Sequence, residues 1–271
     1  MTPAPLALTG PVLFISDLHL TPAMPRTLAA FERFLDDAPS EARSLVILGD
    51  FFEFWVGDDE RHDPFNQRVI ALLRQAAERG LALYLMHGNR DFLLGRRFAR
   101  EASLTLLPDP VRIEAEGKQL LLSHGDIMCT DDAPYMRFRR WTRKPWVQRL
   151  FLSLPLALRL KIARRLRADS EAGRAGGMRM QGDVTATGVD AMLAPGSGQT
   201  MIHGHTHRPH RHQEAGGERW VLSDWDFDGS VVRADALRLD TSGLQHVPLA
   251  ECLRDAPHTA GHLSQDGHPA S

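Results

Sequence analysis

The sequence predicts an α/β fold built on a largely parallel sheet, and three observations carry that reading. Short continuous apolar runs, Val12-Leu13-Phe14-Ile15, Val46-Ile47-Leu48 and Leu83-Tyr84-Leu85-Met86, have the composition of strands buried on both faces. Segments with helical apolar spacing separate them, giving the βαβαβ order of a parallel sheet. Each run then hands over abruptly to polar chemistry: Ser16-Asp17-Leu18-His19, Gly49-Asp50 and His87-Gly88-Asn89-Arg90-Asp91. In open α/β sheets the crevice beyond the carboxyl ends of the strands is where ligands bind.

In chain order, the first strand is followed by a helix from about Arg26 to Asp37, with Leu28, Phe31, Phe34 and Leu35 on one face. Ser44 to Leu48 is the next strand, and its loop, Phe51 to Asp63, is unusually aromatic before Asp58-Asp59-Glu60, which reads as a solvated acidic stretch. A helix from about Pro64 to Arg79 closes on Gly80 as a C-cap, and Leu81 to Met86 forms the third strand. Pro108 to Leu122 reads as a hairpin turning at Glu116-Gly117-Lys118-Gln119 and ending in Ser123-His124-Gly125-Asp126, so the sheet becomes mixed. From Ala133 to about Arg167 strands disappear, and arginines alternate with Trp141, Trp146, Phe151, Leu154 and other apolar residues in a basic, greasy helical insertion. Ser170 to Gly182 is expected to begin as a loop, and Asp183 to Leu193 as an amphipathic helix. Thr200-Met201-Ile202 is a short strand ending in His203-Gly204-His205-Thr206-His207. Trp220 to Ser223 and Ser230 to Arg233 are expected to be late antiparallel strands of a second sheet, and residues 255–271 a disordered tail.

Composition narrows the function classes. The 271 residues have 43% hydrophobic and 24% charged content and a formal net charge of −2, which offers no global attraction to nucleic acid or anionic lipid. Two cysteines, Cys129 and Cys252, make no disulfide framework, so a reducing compartment is expected. Residues 1–10 lack the pattern of a signal peptide, and Leu150 to Leu158 is about half the roughly 20 residues a spanning helix needs.

The strand ends supply Asp17, His19, Asp50, Asn89, His124, His205 and His207. Mixed carboxylate, amide and imidazole donors suit Mn²⁺, Fe²⁺ or Zn²⁺, and the lack of cysteine ligands argues against a thiolate zinc site. Seven donors exceed one tetrahedral site. Two ions about 3.5–4 Å apart would use them all, and such a pair clamps an in-line phosphoryl displacement. A lone histidine at a strand end is more often structural, and His62, His87, His203, His210 and His212 are read so.

Asp17-x-His19, Gly49-Asp50, Gly88-Asn89, His124-Gly125-Asp126 and Gly204-His205-x-His207 together resemble the calcineurin-like metallophosphoesterases. Cys129-Thr130-Asp131-Asp132 and His203 to Pro209 are, with these motifs, most similar to the branch that hydrolyses UDP-2,3-diacylglucosamine in lipid A synthesis. The resemblance implies a sandwich of two mixed β-sheets flanked by helices, spanning residues 10–254, with a helical lid inserted at about 133–182. It implies two Mn²⁺ per chain, one on Asp17, His19, Asp50 and His207, the other on Asp50, Asn89, His124 and His205, with Asp50 bridging. It places substrate contacts at Asn89, Arg90, Asp132, Ser170 and His205, and two more near Arg174 and Gly177, where the family's Asn and Lys are replaced.

The implied reaction is hydrolysis of the pyrophosphate at the α-phosphorus by a di-metal-activated water, giving UMP and 2,3-diacylglucosamine 1-phosphate, with Asp50, Asn89, Arg90, His124 and His205 as the catalytic set. Many relatives carry His after the Gly-Asn; Arg90 here cannot give up its proton near neutral pH, which favours a leaving group that needs none. Asp91 and Asp126 are expected to orient Arg90 and His124. The insertion fits an acylated substrate and an anionic leaflet, with Arg159, Lys161 and Arg164 as cations facing that leaflet. A monomer on the cytoplasmic face of the inner membrane, without nucleic-acid partners, is therefore expected. The competing readings are a metallophosphoesterase for a soluble nucleotide or phosphodiester, a nuclease using the basic run as a phosphate track, and a non-enzymatic scaffold.

Overall fold

The computed structural model describes residues 4–175, 183–194 and 196–253, with residues 169–175 described through their backbone only. The chain runs β1 (Leu6–Ala7), β2 (Val12–Ile15), α1 (Pro25–Glu41), β3 (Ser44–Ile47), α2 (Pro64–Glu78), β4 (Ala82–Met86), α3 (Arg96–Glu101) and β5 (Leu104–Leu107). It continues through the hairpin β6 (Val111–Ala115) and β7 (Lys118–Leu122) into the insertion helices α4 (Ala133–Thr142), α5 (Pro145–Leu152) and α6 (Leu156–Ala175). Then follow α7 (Ala186–Met192), β8 (Gln199–His203), β9 (His210–Glu214), β10 (Gly217–Val221), β11 (Asp235–Asp240) and β12 (Gly243–Pro248).

Two mixed sheets result, ordered β12-β11-β2-β3-β4-β5 and β1-β6-β7-β8-β10-β9. Strands β2 to β5 pair in parallel, and β7, β8 and β10 do the same in the other sheet. The side-chain period of two explains why the apolar runs are unbroken. Val12, Phe14, Val46 and Leu48 point between the sheets onto Ile113, Leu120, Leu122 and Ile202. Their neighbours Leu13, Ile15, Leu45 and Ile47 point the other way, onto Phe31, Phe34 and Leu35 of α1 and Val69 and Leu73 of α2. This layering brings the carboxyl ends of β2, β3, β4, β7 and β8 together.

Several expectations need correction. No strand forms at Ser230 to Arg233: Val231 is 62% exposed, and Asp226 and Arg233 make only an isolated bridge. The late strands are β11 and β12, and β10 is parallel to β8 although antiparallel to β9. Ser170 is not in a loop, because α6 continues to Ala175; residues 176–182 and the tail 255–271 lie outside the described residues. The Asp58-Asp59-Glu60 stretch is not merely solvated. Asp58 accepts hydrogen bonds from the N–H groups of Arg97 and Phe98 and so caps α3, Asp59 pairs with Arg159 of α6, and Glu60 is buried, accepting from Val56 N.

Candidate metal centre and adjoining cavity

Tight backbone geometry aims the strand-end residues inward. Asp17, His19, Asp50, His205 and His207 have φ of 56°, 49°, 49°, 66° and 56°, in the left-handed region that non-glycine residues rarely adopt. Such outliers cluster where surrounding structure over-determines them for function. Here the surroundings are hydrogen bonds between neighbouring strand ends: Asp17 N to Gly49 O at 3.1 Å, His19 N to Asp50 O at 3.0 Å and Gly204 N to His124 O at 3.0 Å. Two glycines permit the approach. A Cβ on Gly88 would stand 2.1 Å from Asp50 Oδ1, and one on Gly204 would stand 2.2 Å from Asp17 Oδ2.

The side chains gather in two groups, Asp17 with His19 and His207, and Asp50 with His124 and His205. In the first, His207 Nε2 lies 3.2 Å from Asp17 Oδ1 and 3.4 Å from His19 Nε2. Asp17 is fully buried, and its Oδ1 has no hydrogen-bond partner among the described residues. Burial opposes its ionisation, yet the charges of His207, His124 and His19 outweigh that and hold its carboxyl well below the usual range. A buried anionic oxygen facing two imidazole nitrogens fits a divalent cation.

In the second group, His124 Nδ1 donates to Leu48 O at 2.8 Å, which leaves Nε2 facing Asn89 Oδ1 at 3.0 Å and Asp50 Oδ1 at 3.8 Å. That backbone bond fixes the ring and reserves Nε2 for a metal. Burial works against the imidazolium, but Asp50, Asp17 and Asp126 outweigh it and push the His124 pKa up to about 9, so a cation bound at Nε2 would take the place of that proton among the same carboxylates. Burial also raises the Asp50 carboxyl and drives His205 down to about 3, the neutral form a ligand needs. Asn89 therefore joins the second group. Asp50 falls in the second group, and its backbone carbonyl accepts from His19 N of the first at 3.0 Å.

The supporting residues differ from expectation. Asp91 does not orient Arg90; fully buried, it accepts from Gly88 N at 2.8 Å, Phe51 N at 2.7 Å and Phe52 N at 3.4 Å, locking the Asn89 loop to the Asp50 loop. Asp126 turns to the insertion, accepting from Tyr135 Oη and from Arg139 Nε, while its charge acts on His124. His203 is structural: Nδ1 donates to Gly204 O and Nε2 accepts from Arg219. Sequence reasoning missed Asp224, whose Oδ2 is 3.6 Å from His207 Nδ1, and Glu53, whose Oε2 is 3.5 Å from His19 Nδ1. Neither has a local motif; only the fold brings them there.

A cavity of about 590 Å³ adjoins the metal groups. Asn89, Arg90, Asp132 and His205 line its polar end, and Trp55, Phe92, Phe138, Phe151, Ile162 and Leu166 are among its apolar walls. The insertion helices thus contribute one wall and the sheet loops the other. Arg90 lies between them, its Nε 3.4 Å from Asp50 Oδ2. Asp132 caps α4 by accepting from Tyr135 N at 2.9 Å. Ser170 and Arg174 fall on the part of α6 whose side chains are not described, and Gly177 lies outside the described residues. Arg159 does not face solvent as expected for a leaflet-facing cation. It is 3% exposed and bound to Asp59 and to the Val56 and Leu154 carbonyls, so it anchors α6 to the body.

The sequence profile of the calcineurin-like phosphoesterases matches residues 10–209. The chain is 58% identical over 254 residues to a UDP-2,3-diacylglucosamine hydrolase of Ralstonia nicotianae, covering 90% of this chain and 95% of that one. It is 49% identical over 233 residues to the protein of that name from Pseudomonas paraeruginosa, covering 83% and 95%. The corresponding Escherichia coli protein is 43% identical over 240 residues, covering 87% and 98%.

Proposed function

The chain belongs to the calcineurin-like phosphoesterase family, and on that premise we propose that it is a dinuclear-metal hydrolase that cleaves the pyrophosphate of UDP-2,3-diacylglucosamine into UMP and 2,3-diacylglucosamine 1-phosphate. The observation that carries the reading is one cavity lined by Asn89 and His205 of the metal groups together with aromatic and aliphatic side chains such as Trp55, Phe92, Phe138, Phe151, Ile162 and Leu166. A nucleotide pyrophosphate with acyl chains has the same polarity. A soluble diester has no acyl chain to fill the aliphatic walls.

Two Mn²⁺ are the proposed ions; Asp17, His19, Asp50 and His207 would hold one and Asp50, Asn89, His124 and His205 the other, and the pair would supply acidification of a water and neutralisation of phosphate charge. The chain's own residues do the rest. His124, fixed through Leu48 O, holds its Nε2 on the ligand side. Arg90 places its guanidinium beside Asp50, where the pyrophosphate's developing charge needs it. Attack at the α-phosphorus expels a sugar 1-phosphate, whose second pKa of about 6 makes a proton donor unnecessary. Hydrolysis in ¹⁸O-labelled water is expected to label UMP; label in the sugar phosphate would overturn the assignment. UMP release from the lipid substrate, run beside bis-p-nitrophenyl phosphate and single-stranded DNA, tests the substrate class, and preference for either control would overturn it.

The protein is proposed to act as a monomer at the cytoplasmic face of the inner membrane. No described helix is long and apolar enough to cross a membrane. Trp141, Trp146, Leu150 and Leu158 are exposed on the insertion near exposed Arg140, Arg149 and Lys161, a composition suited to an anionic lipid surface. Reversing the charges of Arg140, Arg149 and Lys161 is expected to reduce sedimentation with anionic vesicles without loss of metal; unchanged sedimentation would refute it.

A further inference from the structure

Glu53 is assigned no part in the reaction above, yet three functional elements meet on its carboxylate. Its Oε1 lies 3.0 Å from Nη1 of Arg90 and 2.6 Å from Nε of Arg167, and its Oε2 lies 3.5 Å from Nδ1 of His19. Arg90 belongs to the polar end of the cavity, His19 to the first metal group, and Arg167 to α6 of the insertion. Glu53 N also donates to Leu20 O at 3.2 Å, so its backbone is tied to the His19 loop.

The position of Arg167 gives the contact its meaning. Helix α6 is anchored to the body at Arg159 through Asp59 and the Val56 carbonyl. Arg167 lies eight residues further on, about 12 Å along the axis at 1.5 Å per residue. One anchor leaves a helix free to swing; two fix its inclination. Ile162, Ala163 and Leu166, between the anchors, line the cavity, so the Glu53–Arg167 contact sets how wide that wall stands. A carboxylate between the two guanidiniums also offsets their mutual repulsion, so both cations can face one anionic centre.

We propose that Glu53 is a positioning residue for the phosphate-binding end: it holds Arg90 and Arg167 side by side and closes the insertion over the substrate. The proposal rests on the phosphoesterase reading for its kinetic arm but not for its structural arm. Glu53→Gln keeps the size and one acceptor while removing the charge. In the full chain with Mn²⁺, E53Q is expected to raise KM for UDP-2,3-diacylglucosamine about tenfold while kcat changes less than about threefold. In a cycle with Arg167→Ala the two KM effects are expected to overlap, the double variant being no worse than about twice the poorer single one. Amide exchange of the substrate-free protein is expected to quicken in α6 beyond Arg159 for both single variants, with metal content unchanged. Multiplying KM effects, unaltered exchange in α6, or loss of metal in E53Q would each overturn the proposal. If the wild-type protein fails to turn over the lipid substrate, the functional reading fails, and the exchange arm still decides the role of Glu53.

Discussion

Substituting Asp91 by Asn is the sharpest perturbation of the scaffold beneath the metal centre. The carboxylate is fully buried, and both oxygens face donors: Oδ1 takes Gly88 N at 2.8 Å, and Oδ2 takes Phe51 N at 2.7 Å and Phe52 N at 3.4 Å. An Asn side chain keeps one oxygen and turns an NH₂ group onto the other donor set, so either Gly88 or Phe51 loses its acceptor whichever way the amide sits. A stranded buried N–H costs about 1–3 kcal/mol, and a hydrogen bond to a charged acceptor is worth about 1.5–3 kcal/mol, so Asp91→Asn is expected to destabilise by about 3–4 kcal/mol. Against a total of about 5–15 kcal/mol that is a large fraction. Urea unfolding reads it as a lower midpoint at unchanged slope. Because Phe51 follows Asp50 and Gly88 precedes Asn89, the remaining folded protein should also show kcat reduced about 10²-fold, as a displacement of about 1 Å does. A loss below about 1 kcal/mol with full activity would refute the claim that Asp91 locks the two loops.

Gly204→Ala would put a Cβ 2.0 Å from Ser16 Oγ and 2.2 Å from Asp17 Oδ2, so bound metal measured by calorimetry should fall from two ions to one or none, and normal stoichiometry would contradict the packing argument. Arg159→Ala strips the Val56 and Leu154 carbonyls of a donor and frees Asp59, so proteolysis within the insertion should quicken several-fold, and an unchanged rate would remove Arg159 as an anchor. Burial pushes Glu60 up to about 7 from its ordinary 4.5, so between these values the folded chain holds a proton that the unfolded chain has released. Stability from that proton is complete below about pH 4.5 and is lost as pH rises through about 7, by up to about 3 kcal/mol. Glu60→Gln, neutral throughout, should flatten unfolding free energy across that window, and an unaltered slope would refute the shift.

The strand runs and their polar ends were legible because burial on both faces leaves unbroken apolar stretches, and the metal-ligating residue types stand directly after them. Asp17, His19, Asp50, Asn89, His124, His205 and His207 could be read for that reason. What stayed hidden depends on distant partners. Helix α3 takes its cap from Asp58, about forty residues away in sequence, so no local cap signal marks its start. The run Ser230 to Arg233 has strand-like composition but is held instead by Arg233 on Asp224 and Asp226. Arg159 looked like a surface cation in a basic helix, and only its long-range pairing with Asp59 shows that it is buried. Glu53 lies three residues past Asp50 in an aromatic loop, and nothing in its sequence neighbourhood points to Arg167.

Separate strand ends are proposed to hold two cations side by side, and anomalous diffraction from crystals soaked in Mn²⁺ would reveal both positions. Two peaks are expected, one among Asp17, His19 and His207 and one among Asp50, Asn89, His124 and His205. A single peak, or manganese bound only elsewhere on the chain, would contradict the account.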